Sequence, residues 1–321
     1  MPIELRPDEL NERRRGPMKI FVPIDGSDAS LRALEYLRIQ SQLPWENPEV
    51  EAFFSMTPVP DRIYAHETAE ELVAYYERQA QKVFDRVQEV LAGSTLKPTF
   101  SYGVGETVET IIEAADRFDP DLIVVGHRGH GALRSFLFGS VSNSLLAATT
   151  RPILVLHDVV PPDHDHIRVG LAVDGSEYSL AAARFIISHR ELFGPQAKFV
   201  LAHVVPDFKA IAMPSRAGVP LTVMTDAEVL AYQDEQFAQA VNPAKALFEE
   251  AGIPVETRRF CGEAGAKMAE FADSEELDIL VLGSHGYDNF EAAVLGSVAT
   301  RIASVTKAPL LIIREAKATK A

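Results

Sequence analysis

The sequence predicts an α/β protein built as two doubly wound domains in tandem, each a five-stranded parallel sheet covered by helices on both faces. Three observations predict it. The landmarks of the chain occur twice in one order: MKIFVPIDGS at 18–27 and IRVGLAVDGS at 167–176, DPDLIVVGHRG at 119–129 and ELDILVLGSHG at 276–286, FGSVSN at 138–143 and LGSVAT at 295–300, then Pro152 and Pro309, each before an apolar run. The predicted strands are short continuous apolar runs rather than alternating ones, as in strands buried on both faces. They alternate with segments of helical length, and 321 residues leave room for two such units.

In the first half, strands are expected near 19–24, 50–57, 98–103, 121–126 and 152–157, and helices near 28–41, 67–92, 106–117 and 139–149. The helix at 67–92 follows from Leu72, Tyr75, Tyr76, Gln79, Val83, Val87, Val90 and Leu91, mostly three or four apart, with Gly93 as its stop. In the second half, strands are expected near 167–173, 198–205, 255–261, 278–283 and 309–314, and helices near 177–192, 226–251, 264–274 and 296–306. Residues 158–166, DVVPPDHDH, are polar and proline-containing between two apolar strands and read as an exposed linker. The domains are therefore placed at 17–157 and 167–315. Asp163, His164, Asp165 and His166 are adjacent on that linker, where neighbouring side chains rarely converge on one ion, so no metal site is assigned.

Composition narrows the function. Hydrophobic residues at 47% and charged residues at 24% exclude disorder for most of the chain. Lys plus Arg number 31 against 46 Asp plus Glu, a net charge of -15. Such a surface repels phosphate backbones and anionic lipid, so neither nucleic acid nor membrane is an expected partner. Arg13, Arg14 and Arg15 form the one dense basic run and read as a solvated arm. The single cysteine, Cys261, excludes an internal disulfide and fits a reducing compartment. No stretch approaches the ~18 apolar residues that span a bilayer. The start MPIELRPDEL lacks the basic and apolar regions of a secretory signal, so a cytoplasmic location is expected.

In doubly wound sheets, ligands bind beyond the carboxyl ends of the strands at the topological switch point. The residues after strands one and four therefore matter most. Strand one is followed by Asp25-Gly26-Ser27 and by Asp174-Gly175-Ser176. An Asp there can accept hydrogen bonds from a sugar or base, and Asp or Ser can equally cap the next helix. Strand four is followed by Gly126, Gly129 and Gly139-Ser140, and the second half repeats that spacing with Gly283, Gly286 and Gly296-Ser297. Glycines let backbone pass close to a ligand. The helix that starts at Gly139-Ser140 offers unpaired N–H groups and a positive dipole end to a phosphate, with the Ser140 and Ser142 hydroxyls as further donors. The same glycines can also serve only tight turns and close helix–sheet packing. The pattern is neither a Walker A loop, since no Gly-Lys-Ser/Thr follows, nor the Rossmann fingerprint, since it follows strand four. His127 and His130 lie on a glycine turn and are not read as a metal pair. His203 reads as a packed core histidine, and Cys261 as a structural thiol closing an apolar strand. No carboxylates are paired for acid–base work, and no catalytic residue is assigned.

The Asp-Gly-Ser after strand one, the Gly-x2-Gly-x9-Gly-Ser loop, the Gly-Ser-Val-Ser-Asn tail and the Pro-apolar last strand together resemble the universal stress proteins, over about 17–157 and 166–315. The resemblance is to a tandem form of that family, in the branch that carries the ATP-binding glycine loop. It implies strand order 3-2-1-4-5 in each half and a stress-response role. It also implies ATP as ligand, often with a divalent metal such as Mg2+ or Mn2+ at the phosphates. It implies that Asp25 contacts the ribose, that Pro23 and Ile24 line the adenine end, and that Met56 offers backbone groups to adenine. Gly126, Gly129, Gly139, Ser140, Val141 and Ser142 then hold ribose and phosphates. The second half matches at Val173, Asp174, Val204, Gly283, Gly286, Gly296, Ser297 and Val298, but Ala299 replaces Ser142. Arg128 and Arg134 can offset triphosphate charge, whereas Asp288 and Glu291 oppose it, so the first site is expected to be the stronger. Nothing resembles a water-positioning or arginine-finger arrangement, so any hydrolysis is expected to be slow and the protein to act by binding or signalling through an unidentified protein partner. A nucleotide-free interaction scaffold and an adenine-nucleotide α-hydrolase-like enzyme are the alternatives. The apolar last strands, 152–157 and 309–314, are sheet edges that invite pairing, so the halves are expected to pack as an internal pseudo-dimer. Whether two chains then form a homodimer is left open.

Overall fold

A computed structural model describes residues 16–40, 48–60, 68–126, 140–156, 166–207, 225–284 and 295–314. Its first half contains strands β1 (Lys19–Ile24), β2 (Glu49–Met56), β3 (Thr99–Val104), β4 (Leu122–Gly126) and β5 (Ile153–Leu156). Between them lie helices α1 (Asp28–Gln40), α2 (Ala69–Val90), α3 (Thr107–Phe118) and α4 (Ser140–Ala148). The second half has β6 (Arg168–Ala172), β7 (Lys198–Val205), β8 (Val255–Cys261), β9 (Ile279–Gly283) and β10 (Leu310–Ile313). Its helices are α5 (Glu177–Ser188), α6 (Asp226–Glu250), α7 (Ala264–Ser274) and α8 (Ser297–Val305).

All ten strands join one sheet in the order β3-β2-β1-β4-β5-β10-β9-β6-β7-β8. Each half thus has the expected order 3-2-1-4-5, with parallel pairing inside it. Among the described residues, the one antiparallel pair is β5 with β10, where the halves meet. Leu154 lies opposite Leu311, and Ile153 and Val155 lie opposite Ile312 and Leu310. Leu154 and Leu311 occupy the same place in the repeat, so a local twofold axis passes through that pair, as in an isologous dimer.

The central strands are buried along their length, as their unbroken apolar runs predict, and β4, β5, β9 and β10 each bury four consecutive residues. Two apolar layers result, one on each face of the sheet, and both run through the two halves. One joins Val22, Leu34, Val124 and Leu154 to Leu311, Val281, Val169 and Phe248. The other joins Phe21, Ile123 and Ile153 to Leu310, Leu280 and Phe271. The outermost strands β3 and β8 are half-exposed and carry polar residues, so Cys261 closes a polar edge strand, with its thiol exposed, rather than an apolar one.

Local signals explain the helix limits. Thr68 and Thr225 form capping boxes with Glu71 and Glu228 at the starts of α2 and α6. The helix expected over 177–192 ends instead at Ser188 and continues as a 3-10 turn, Arg190–Phe193. Ser188 Oγ and His189 Nδ1 both take the Phe185 carbonyl, at 3.2 and 3.0 Å, and compete with the helical ladder there. The 3-10 turn then buries Leu192 and Phe193.

Candidate functional site

Each half has a cavity beyond the carboxyl ends of its parallel strands. The first is bordered by Pro23 and Ile24 at the end of β1, Asp25 after it, Ser55 on β2, Val125 and Gly126 on β4, Thr107 and Ile111 on α3, and Val141 and Ser142 in the first turn of α4. Its volume is about 260 Å³. The second takes the corresponding Ala172, Val173, Asp174, Val204, Leu282, Gly283, Ala264, Met268, Val298 and Ala299, together with Gly296, Ser297 and further residues of α6, and encloses about 650 Å³.

The turn after the first strand of each half fixes its Asp. Asp25 Oδ1 accepts from the Ser27 amide and the Ser30 hydroxyl, both at 2.9 Å, and Gly26 takes a left-handed φ of 73° to let the chain reverse. Asp174 Oδ1 likewise accepts from the Ser176 amide at 3.0 Å and hydroxyl at 2.5 Å, with Gly175 at φ 80°. Ser176 in turn caps α5 through the Ser179 amide at 3.3 Å. The cap is therefore the serine, while the Asp holds the turn and borders the cavity.

The glycines divide by role. A Cβ on Gly126 would collide with the Ala29 carbonyl, and one on Gly283 would lie 2.8 Å from the Tyr178 backbone. Close helix–sheet packing thus demands glycine at these two positions, and both also border a cavity. Arg128, Gly129, Gly139 and Gly286 lie outside the described residues, as do Arg134, Asp288 and Glu291; Ser140 is described only as the first residue of α4.

The N-termini differ in how their amides are satisfied. Side chains cap α2, α3, α5, α6 and α7, through Thr68, Glu106, Ser176, Thr225 and Glu263. The amides of Ala266 and Gly265 hold the Glu263 carboxyl below the usual range. Helix α8 has Gly296 as its N-cap, which supplies no side-chain hydrogen bond, and its first-turn residues Ser297, Val298 and Ala299 border the second cavity. Those amides have no intrahelical acceptor and retain the positive end of the dipole.

Sequence reasoning missed two residues. Met56 does not border the first cavity among the described residues; its carbonyl accepts from the Gly105 amide at 2.9 Å, as Val205 accepts from Gly262 at 3.1 Å. Ile24 pairs with Phe54, and Ala172 with Ala202, which sets Ser55 rather than Met56 in the place of Val204. Ser55 Oγ is shielded from solvent without a hydrogen-bond partner and borders the cavity. The second is His203, which is packed as expected but also lines the second cavity. Its Nδ1 lies 2.7 Å from the Val173 carbonyl. Burial lowers its pKa below 6.5, opposed by that carbonyl and by the Asp174 charge. Counting from the Asp-Gly-Ser in each half would have found both positions.

Among the described residues, no group of three His, Cys, Asp or Glu could hold a metal ion, and no helix is long and apolar enough to cross a membrane. The universal stress protein family model matches residues 17–157 and again 167–314. A universal stress protein of Mycobacterium tuberculosis is 26% identical over 210 residues, which cover 65% of this chain and 66% of that one, just under two thirds of its length. A second from the same organism is 24% identical over 315 residues, covering 92% of this chain and 94% of the relative. The crystal structure of a universal stress protein from Archaeoglobus fulgidus superposes with a TM-score of 0.63 at 19% identity, covering 93% of this chain and 98% of that one.

Proposed function

We propose that this chain, which belongs to the universal stress protein family, binds ATP in each half beyond the carboxyl ends of the parallel strands. Family membership supports a stress-response role. One observation carries the ligand assignment: in the second half an uncapped helix N-terminus and an Asp held by its own turn open into one cavity. In the first half Val141 and Ser142 of α4 and Asp25 likewise border one cavity. The helix end suits phosphate, and the Asp suits the ribose hydroxyls. Ser55, Pro23 and Ile24 border the base end of the first cavity in this reading. A Mg2+ or Mn2+ ion there would be held mainly by the phosphates, since the described side chains provide no three-ligand cluster.

The domain bounds in this reading are 17–157 and 167–315, joined by a linker at 158–166, of which 158–165 lie outside the described residues. The protein acts in the cytoplasm by binding and signalling, with slow or no hydrolysis. Small molecules released from the denatured protein should include an adenine nucleotide by mass spectrometry. Gly129→Val places bulk in the first glycine loop and should remove one of two ATP-binding events by calorimetry while leaving the circular dichroism spectrum unchanged. Equal ATP binding in wild type and variant refutes the first site. Rapid multiple-turnover formation of ADP would favour an enzyme instead.

A further inference from the structure

The two cavities differ along the flank next to the long helix of each half. In the first half α2 closes it. The Val83 methyl groups lie 3.4 and 3.6 Å from where a Cβ of Gly26 would stand. Arg86 donates to the Gly26 carbonyl and pairs with Asp28 at 3.7 Å. Phe54, on β2, packs against the apolar layer. The N-caps Thr68 and Thr225, and the strand registers, identify the counterparts in the second half as Ala240, Pro243 and His203. Each exchange removes bulk or replaces an apolar ring with a polar one. The cavity there encloses about 650 Å³, and its described walls take in His203, Gln236, Gln239 and Ala240 as well as Gly296, Ser297 and Ser284. None of the counterparts of His203, Gln236, Gln239 and Ala240 is among the described residues that border the first cavity.

The chemistry of this annex is defined. A carbonyl can only accept, so His203 Nδ1 carries the proton toward Val173 and Nε2 keeps a lone pair. Asp174 on the adjoining turn is the charged group that acts on the ring. From α6 the ring meets Phe237, with centroids 6.4 Å apart, and the annex receives the neutral amides of Gln236 and Gln239. The Gln239 amide donates one N–H to Glu235 at 3.2 Å, which leaves its carbonyl oxygen as an acceptor and its second N–H as a donor. The annex thus offers acceptors in the His203 lone pair and the two amide oxygens, together with the remaining amide N–H groups, and the acceptors sit next to the Asp assigned to the ribose.

We propose that the annex formed by His203, Gln236 and Gln239 beside Asp174 receives a hydrogen-bond-donating substituent on the ribose, so that the second half selects sugar-substituted adenine nucleotides which the first half excludes. This rests on the nucleotide reading above. A phosphate substituent is disfavoured, because it would face a carboxylate and a lone pair.

The test uses the full chain and two probes, ATP and 2′(3′)-O-(2-aminoethylcarbamoyl)-ATP, whose carbamate N–H and ammonium are donors. Gly129→Val leaves the second site and Gly286→Val leaves the first. By calorimetry the Gly129→Val protein should bind the substituted nucleotide at least as tightly as ATP, and the Gly286→Val protein at least about tenfold more weakly than ATP. In the Gly129→Val background, His203→Phe with Ala240→Val should weaken the substituted nucleotide by about tenfold or more and leave ATP within about threefold. Gln236→Ala, on the partly exposed face of α6, should shift the same ratio without touching the core. An equal ratio of the two affinities in both single-site proteins, or a ratio unmoved by all these variants while ATP still binds, overturns the annex. Absence of ATP binding in both single-site proteins overturns the nucleotide reading itself.

Discussion

Tyr36 on α1 is 4% exposed, and its hydroxyl has no hydrogen-bond partner. Burial, and then the Asp278 carboxylate of the other half, push its pKa well above the ordinary value, so it stays a neutral phenol. An unsatisfied buried hydroxyl costs about 1–3 kcal/mol, and Tyr36→Phe should therefore stabilise the protein by about 1 kcal/mol in urea denaturation. A loss of stability would mean that the hydroxyl has a partner after all. The candidate site was partly legible at this scale. Asp25, Asp174, Gly126 and Gly283 were marked by repetition and by their place after strands one and four, and each borders a cavity. Ser55 was missed because an apolar strand end draws attention to its bulkiest residue, while parallel pairing fixes the frame one residue earlier. Gln236 and Gln239 were illegible for a different reason, since polar residues on a long amphipathic helix read as a solvated face until a neighbouring side chain is lost.

At the scale of elements, the first turns of α4 and α8 differ by one hydroxyl, Ser142 against Ala299, at equivalent positions on the cavity walls. A hydrogen bond to a charged phosphate contributes about 1.5–3 kcal/mol, so ATP should bind the second half roughly tenfold to hundredfold more weakly than the first. Ala299→Ser should recover much of that difference in the Gly129→Val protein, measured by calorimetry. No gain would show that the backbone amides alone set the affinity. Farther from the site, Glu275 after α7 ties β6 to β8 by pairing with Arg168 and, at 3.0 Å, with Arg258. The Arg258 hydrogen bond is the main cause that holds its carboxyl below the usual 4.5, with Arg168 adding to it. A depressed carboxylate contributes stability above its unfolded pKa and loses it as pH falls through the folded one. Glu275→Gln should cost up to about 1 kcal/mol at neutral pH. The gap from wild type should close on acidification below pH ~4. A gap that persists in acid would mean that the packing of Glu275, not its charge, matters. Element positions were legible nearly to the residue, because apolar runs and caps are local signals. The break at Ser188 was not, since it depends on two side chains competing for one carbonyl.

The whole molecule is one sheet with two layers that ignore the boundary between repeats. Unfolding should accordingly be a single transition by far-UV and by near-UV circular dichroism, with coincident midpoints. Leu311 is fully buried on the twofold axis, and Leu311→Ala should cost about 2–5 kcal/mol and lower both signals together. Two separate transitions would show that the halves fold independently despite the seam. The order 3-2-1-4-5 was legible only through family resemblance, and the joining of β5 to β10 through their apolar edges. Because that seam is antiparallel, the carboxyl ends of the two sets of strands point in opposite directions, and each cavity lies beyond its own set. In a symmetric dimer of identical chains every substitution is inherited by both sites at once. A fused pair escapes that rule. Histidine can stand at 203 while phenylalanine remains at 54, and proline at 243 while arginine remains at 86, so one pole can drift toward a new ligand as its twin preserves the old one.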